Sequence, residues 1–124
     1  MLMRVIYENK VLAVGEHVQD FRAANMLIIF GASAPAELKD YCYLVNVNPI
    51  DGDIAAGDIL RVDDGFFKIT SVGAEVPVTL KGLGHCTISF TGETAASMVG
   101  TIYVEKSKVP ALQAGSVIQI IKYK

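Results

Sequence analysis

Apolar positions along this chain fall mostly in short runs bounded by glycine, proline, asparagine or aspartate, the signature of strands joined by turns. Val5, Val11 and Leu12 mark residues 3–14 as strand, with a turn expected at Glu8-Asn9-Lys10 and an end at Gly15. Glu16 to Asp20 is polar, and His17 within it reads as a solvated residue of a loop or short helix. Met26-Leu27-Ile28-Ile29-Phe30 is apolar at every position, as expected of a strand covered on both faces. Gly31-Ala32-Ser33 breaks it, and Ser33 is placed to cap a short helix through Asp40 with Pro35 in its first turn. Residues 41–47 form the next strand, closed by Asn48-Pro49 and the Asp51-Gly52 turn signal. Residues 59–62 and 66–72, joined across Asp63-Asp64-Gly65, make the clearest hairpin. A short helix is expected over residues 77–83, and a long apolar strand over 116–121.

The stretch with the most chemistry is Gly82-Leu83-Gly84-His85-Cys86-Thr87-Ile88-Ser89-Phe90. With period two, Cys86, Ile88 and Phe90 face one way and His85, Thr87 and Ser89 the other. The apolar row can enter a core while the His/Thr/Ser row faces a cleft. Gly84 allows a close approach beside the imidazole, because it carries no Cβ. A neutral imidazole is nucleophilic near pH 7, which makes His85 the candidate catalytic residue.

An internal repeat follows from sliding the chain by 60. Ile28 then falls on Ile88, Phe30 on Phe90, Ala36 on Ala96 and Tyr43 on Tyr103. After a two-residue slip, residues 54–60 lie over 112–118 and Gly57 meets Gly115. Two related strand-rich units, 25–62 and 85–121, within one domain spanning 1–124 predict a mainly β fold. The expected form is a small closed barrel of about six strands with two or three short helices. In this slide Thr87 and Ser89 replace Leu27 and Ile29, and His85 replaces Asn25. A polar row present in only one copy has no fold-level reason and points to function.

Composition narrows the classes. Hydrophobic residues make up 52% of 124, which excludes a disordered chain. The net charge of −2 comes without a basic patch, which argues against nucleic acid as a partner. A DNA-binding swapped-hairpin barrel, suggested by the Ala56-Gly57-Asp58-Ile59-Leu60 turn alone, is opposed by that charge. No apolar run is long enough to span a bilayer, so no membrane insertion is expected. Charge enters the N-terminus too early for a secretory segment, and a cytoplasmic location is expected. Cys42 and Cys86 lie far apart in apolar runs, as buried reduced thiols do, and a metal site would lack ligands. Phosphate-binding glycine loops and hydrolase motifs are absent, and no cofactor is expected.

The chain resembles the glucitol/sorbitol-specific IIA components of the bacterial phosphoenolpyruvate-dependent sugar phosphotransferase system. The resemblance runs nearly end to end. It is carried by Met26-Leu27-Ile28-Ile29-Phe30, Ala34-Pro35-Ala36-Glu37-Leu38 with Tyr41-Cys42, Ile69-Thr70-Ser71-Val72-Gly73, Leu83-Gly84-His85-Cys86-Thr87, Gly100-Thr101-Ile102-Tyr103-Val104 and Ala114-Gly115-Ser116-Val117. It implies a cytoplasmic phosphotransferase that takes a phosphoryl group from the phosphohistidine of the carrier HPr. The group would pass to the IIB component of a sorbitol permease and its IIC channel. On this reading His85 is the phospho-acceptor, Thr87 bonds the phosphoryl oxygens and Lys81 offsets their charge. One departure matters: the position that carries the family's phosphorylated histidine is Val45 here. The alternative is therefore a binding or regulatory module that has kept the barrel without the chemistry.

Overall fold

The computed structural model describes residues 2–123. Among them, nine strands and three short helices alternate. Strand β1 (Met3–Lys10) runs into β2 (Ala13–Val14), helix α1 (Val18–Arg22) and β3 (Met26–Gly31). Helix α2 (Ala36–Lys39), β4 (Tyr43–Val45), β5 (Ile59–Val62) and β6 (Gly65–Val72) follow. The chain ends with α3 (Val76–Leu83), β7 (Cys86–Ser89), β8 (Thr101–Val104) and β9 (Val117–Tyr123). The fold is mainly β with three short helices.

All nine strands belong to one sheet in the order β1-β9-β5-β6-β8-β7-β3-β4-β2. That order has two ends, β1 and β2, so the closed six-stranded barrel expected from the sequence is not what forms. The two ends are nevertheless consecutive in the chain. The Val11 N–H donates to the Ser116 carbonyl at one end, and the Leu12 N–H to the Leu44 carbonyl at the other. Nor is there a turn at Glu8-Asn9-Lys10, because β1 stays paired with β9 through Lys10. Asn9 there is buried, and its side chain bonds the backbone of Asn46 in both directions, at 2.6 and 3.1 Å. A turn signal was thus a polar side chain bridging strands, which local composition does not distinguish.

The inward faces enclose one core in which Leu27, Ile29, Val45, Leu60, Ile69, Leu80, Cys86, Ile88, Ile102 and Ile118 are buried. Outside the sheet a second, smaller cluster forms from Phe30, Ala34 and Cys42, with Ile28 and Leu44 against it. Strand β3 therefore has apolar cover on both faces, as its unbroken apolar run requires. The hairpin β5–β6 closes on Asp63-Asp64, and the Asp63 carboxylate accepts the Val117 N–H at 2.8 Å. Helix α2 starts after Pro35, and no side chain caps it, so Ser33 does not play the expected role.

Two strand pairs are parallel, β3–β4 and β7–β8, and each needs a crossover connection. In the first, Ile29 lies opposite Tyr43 and Phe30 opposite Leu44. In the second, Ile88 lies opposite Ile102 and Ser89 opposite Tyr103. Partners lie 14 residues apart in both pairs. A one-residue change exchanges the faces of a strand. Leu27 and Ile29 face the main core from β3, as Cys86 and Ile88 do from β7.

Gly57 and Gly115 enter β5 and β9 through matching turns with φ of +96° and +93°. The Gly57 N–H bonds the Ile69 carbonyl and the Gly115 N–H bonds the Val11 carbonyl. A Cβ at either would meet nothing within 4 Å, so the constraint is conformational and not steric. Gly57→Val and Gly115→Val should each destabilise the fold by about 1–3 kcal/mol through left-handed backbone strain. Gly82→Ala, at an unobstructed helical position, should stabilise it by about 0.4–1 kcal/mol. Chemical denaturation of the three variants checks the contrast, and equal midpoints for all would refute it.

Candidate functional site

Helix α3 ends on the left-handed Gly84, and that cap delivers His85. Gly84 takes φ +67°, its N–H bonds the Leu80 carbonyl at 3.0 Å, and the His85 N–H bonds the Thr79 carbonyl at 3.1 Å. A Cβ on Gly84 would sit 3.0 Å from the Gly31 nitrogen, so the missing side chain lets the end of β3 pass beneath. The backbone of His85 is therefore fixed before β7 begins.

The imidazole lies on the outer face of the sheet and is half-buried. It stacks at a tilt of 31° on Phe30, with ring centroids 4.2 Å apart. Its Nδ1 lies 3.3 Å from the Ile29 carbonyl oxygen. A carbonyl can only accept, so Nδ1 carries the proton and Nε2 keeps its lone pair. Among the described residues Nε2 has no hydrogen-bond partner, and it is not one of the buried polar atoms left without one. This tautomer is the one in which the exposed nitrogen is the nucleophile.

Around the ring is a pocket of about 230 Å³ lined by Phe21, Ile28, Phe30, Leu38, Tyr41, Cys42 and His85. No charged side chain lines it. Leu38, Val47 and Leu83 are exposed large apolar residues on elements that border it. Thr87 is half-buried, opposite Ile28 in the ladder and two residues from His85, but it is not among the pocket residues. Lys81 lies elsewhere, in a depression with Ile50, Gly52, Asp53, Ile54 and Pro77. The sequence row His85, Thr87 and Ser89 is thus real as a face, while the lysine does not join it.

The family model for the PTS system glucitol/sorbitol-specific IIA component matches residues 6–119. The chain belongs to that family. It is 30% identical over 117 residues to the PTS system glucitol/sorbitol-specific EIIA component of Shigella flexneri, covering 94% of this chain and 95% of that one. The corresponding protein of Escherichia coli (strain K12) is 30% identical over the same shares. A crystal structure described as the PTS system IIA component from Enterococcus faecalis V583 shares the fold with a TM-score of 0.78. It is 23% identical, with 94% of this chain and 98% of that chain covered.

Within this IIA family member, Val45 is fully buried at the end of β4, opposite Gly31. Its side chain belongs to the core, and nothing at that position is presented to a partner. His17 is exposed, as expected, and its ring is 5.6 Å from that of Tyr41. Its donor atoms come within 4.8 Å of the Glu16 and Asp40 carboxylates, all three exposed. No other group of three such ligands occurs among the described residues. No helix of the described residues is long and apolar enough to cross a membrane. Sequence reasoning missed Phe21, Phe30, Leu38 and Tyr41 as site residues. Phe30 in particular reads as core in an apolar run, and only the sheet's outer face reveals its contact with His85.

Burial pushes the Cys42 thiol up to about 11 and the Cys86 thiol up to about 12, from an ordinary 9.0. Neither is a thiolate at neutral pH, so neither competes with His85 as a nucleophile. Both shifts favour the protonated thiol in the folded chain, whereas the unfolded chain ionises near 9.0. Their contribution to stability is therefore complete below pH 9.0 and is lost as pH rises towards 11 and 12. Melting temperature should fall across that window, and a thiol reagent at pH 8 should titrate both cysteines only after unfolding. Rapid labelling of the native protein would contradict this.

Proposed function

We propose that this chain is a cytoplasmic phosphocarrier in which His85 Nε2 accepts a phosphoryl group from phospho-HPr and passes it to the IIB component of a glucitol/sorbitol permease. The observation that carries the reading is the His85 tautomer, with Nδ1 held on the Ile29 carbonyl and Nε2 open. In the first transfer the N–P bond of the donor phosphohistidine breaks as the bond to Nε2 forms; in the second the Nε2–P bond breaks as a bond to the acceptor nucleophile of IIB forms, and His85 is the donor. The donor imidazole leaves with its electron pair, so no other reactant is required. The chain's own part is positioning: the left-handed glycine cap of α3 fixes the backbone and Phe30 fixes the ring plane. Thr87, one ladder step away on the same face, is the nearest hydroxyl in sequence to bond a phosphoryl oxygen.

The apolar surroundings support docking of another protein. Leu38, Val47 and Leu83 offer a contact surface around the nucleophile, as partner sites do. Since no cation lines the pocket, the positive charge that offsets the moving phosphoryl group must come from the docked partner. Lys81 as its counter-charge has no support from its position.

The internal repeat belongs to this reading. Its support is the recurrence of whole hydrogen-bond sets in both halves. Gly15 N–H to Cys42 carbonyl matches Gly73 N–H to Thr101 carbonyl, and His17 N–H to Asp40 carbonyl matches Glu75 N–H to Val99 carbonyl. Asp58 accepts the Ala55 N–H as Ser116 accepts that of Gln113. Strands β1 and β6 take matching places beside β9 and β5.

One observation favours a second reading. With Val45 at the family's acceptor position and buried, the chain could serve as a binding or regulatory module contacting the permease without being phosphorylated. Incubation with phosphoenolpyruvate, enzyme I and HPr separates the two. On the first reading the protein gains one phosphoryl mass, labile to acid and stable to mild base. His85→Ala abolishes it, whereas His17→Ala retains it. Leu38→Asp should slow labelling by roughly tenfold, the equivalent of about 1.4 kcal/mol of lost docking, without lowering stability. No added mass beside a working homologue would support the module.

A further inference from the structure

The two buried cysteines sit in separate apolar clusters and bring no metal site together, but a different donor set converges at the surface. Glu16 and His17 follow β2, and Asp40 ends α2. The His17 imidazole and the two carboxylates each place a ligand atom within 4.8 Å of the other two. Ligand atoms bound at about 2.1 Å to one ion lie roughly 3–4 Å apart, so small side-chain rotations bring all three into range.

These donors are not spent on the protein itself. Among the described residues the one ion pair joins Lys122 to Asp58, so neither Glu16 nor Asp40 is paired with a cation. His17 stands at the start of α1 without capping it through its side chain. Two carboxylates so close together repel each other, and a divalent cation between them relieves that repulsion.

The backbone holds the donors in register. The His17 N–H bonds the Asp40 carbonyl at 2.7 Å, and the Gly15 N–H bonds the Cys42 carbonyl at 2.9 Å. A Cβ on Gly15 would collide with the Lys39 and Asp40 carbonyl oxygens, so glycine is what lets the two segments meet. The Tyr41 ring, 5.6 Å from the imidazole and tilted 37° to it, limits its swing. Ligands carried on a clamped backbone lose less freedom on binding.

The other half of the molecule makes the same clamp without the same donors. There Gly73 bonds Thr101 and Glu75 bonds Val99, so Ala74, Glu75 and Val99 stand where Glu16, His17 and Asp40 do. Only one carboxylate remains at those positions. The fold therefore does not require the Glu/His/Asp set, which answers to something else.

We propose that Glu16, His17 and Asp40 bind a divalent first-row transition-metal cation such as zinc, with water at its remaining positions. An imidazole nitrogen beside two carboxylate oxygens is a donor set these ions accept, whereas magnesium and calcium take oxygen ligands. The two carboxylates also match the charge of the ion. None of the three residues lines the His85 pocket, so the site is separate from it.

The test is a 1H–15N titration of the untagged, unphosphorylated full chain with zinc chloride at pH 7, and with magnesium chloride as the oxygen-only arm. Saturable zinc shifts at Glu16, His17 and Asp40 are expected, with no comparable response to magnesium at the same concentration. His17→Ala should weaken zinc binding at these positions at least tenfold, and Asp40→Asn severalfold. Both side chains are exposed, so the variants are expected to fold, and their spectra verify this. No saturation by zinc at this cluster, an equal response to magnesium, or unchanged zinc affinity there in His17→Ala would each overturn the proposal. The readout is metal binding to the unphosphorylated chain, so this inference and the His85 reading fail separately.

Discussion

Residues 3–14 hold the two ends of the sheet together, and the rest of the molecule depends on that bond. A sheet with two free edges exposes unpaired N–H and C=O groups and invites pairing with other chains. Here β1 satisfies β9 and β2 satisfies β4, while the linking residues Val11 and Leu12 donate in opposite directions. Asn9 completes the link from inside. Its amide bonds the Tyr7 hydroxyl and the Asn46 carbonyl, and its oxygen accepts from Lys10 and Asn46. Every lone pair and proton of a buried amide is thereby used, which is the condition for keeping one in a core. Burial raises the Tyr7 hydroxyl to about 12 although the Asn9 bond opposes it, so the network stays neutral at physiological pH.

With the edges joined, the pocket beside His85 lies at the first crossover, lined by Phe30, Leu38, Tyr41 and Cys42. A parallel pair cannot be closed by a tight turn, so each half must carry a long connection over the outer face. In the first half that connection is apolar and shelters His85 from the other half. In the second it is rich in hydroxyls and surrounds Glu93. The His85 pocket thus draws on both halves: Phe30, Leu38 and Cys42 from one, the imidazole from the other. Strands β3 and β7 meet across their antiparallel pairing, which places Ile29 opposite Cys86 and the imidazole beside it.

The elements themselves were legible in the sequence because their signals are local. Asp63-Asp64-Gly65 marks a turn, Pro77 starts a helix, and Gly84 before His85 stops it. Gly57 and Gly115 announced matching turns because a positive φ selects glycine at once. What was not legible is register. Sliding by 60 aligned Phe30 with Phe90 because like residues attract an alignment, yet Phe90 lies in the core and Phe30 outside it. Period-two faces carry no label saying which is inward, and that depends on pairing with a distant strand. The closed barrel failed for a related reason: whether a sheet's ends pair or are bridged by a bent segment is set by Val11 and Leu12, two residues that read only as apolar. The polar row at His85 was found from the alternation along β7, in which Cys86 and Ile88 are buried in the core.

Val45 and the apolar pocket bear on the same problem from two directions. A phosphoryl group brings charge that needs hydrogen-bond donors and cations at the point of transfer. At position 45 the side chain points into a core where neither exists, and a charged group there would be desolvated at large cost. At His85 the nucleophile is oriented and open, but its pocket has no cation either. An apolar pocket around a nucleophile does one thing well: it excludes water once another protein covers it. A site of that kind is complete only in the docked state, where the partner contributes the charge. On the function proposed above, a phosphoryl group would be stabilised at His85 only once a partner is seated, because the pocket itself supplies no charge to meet it.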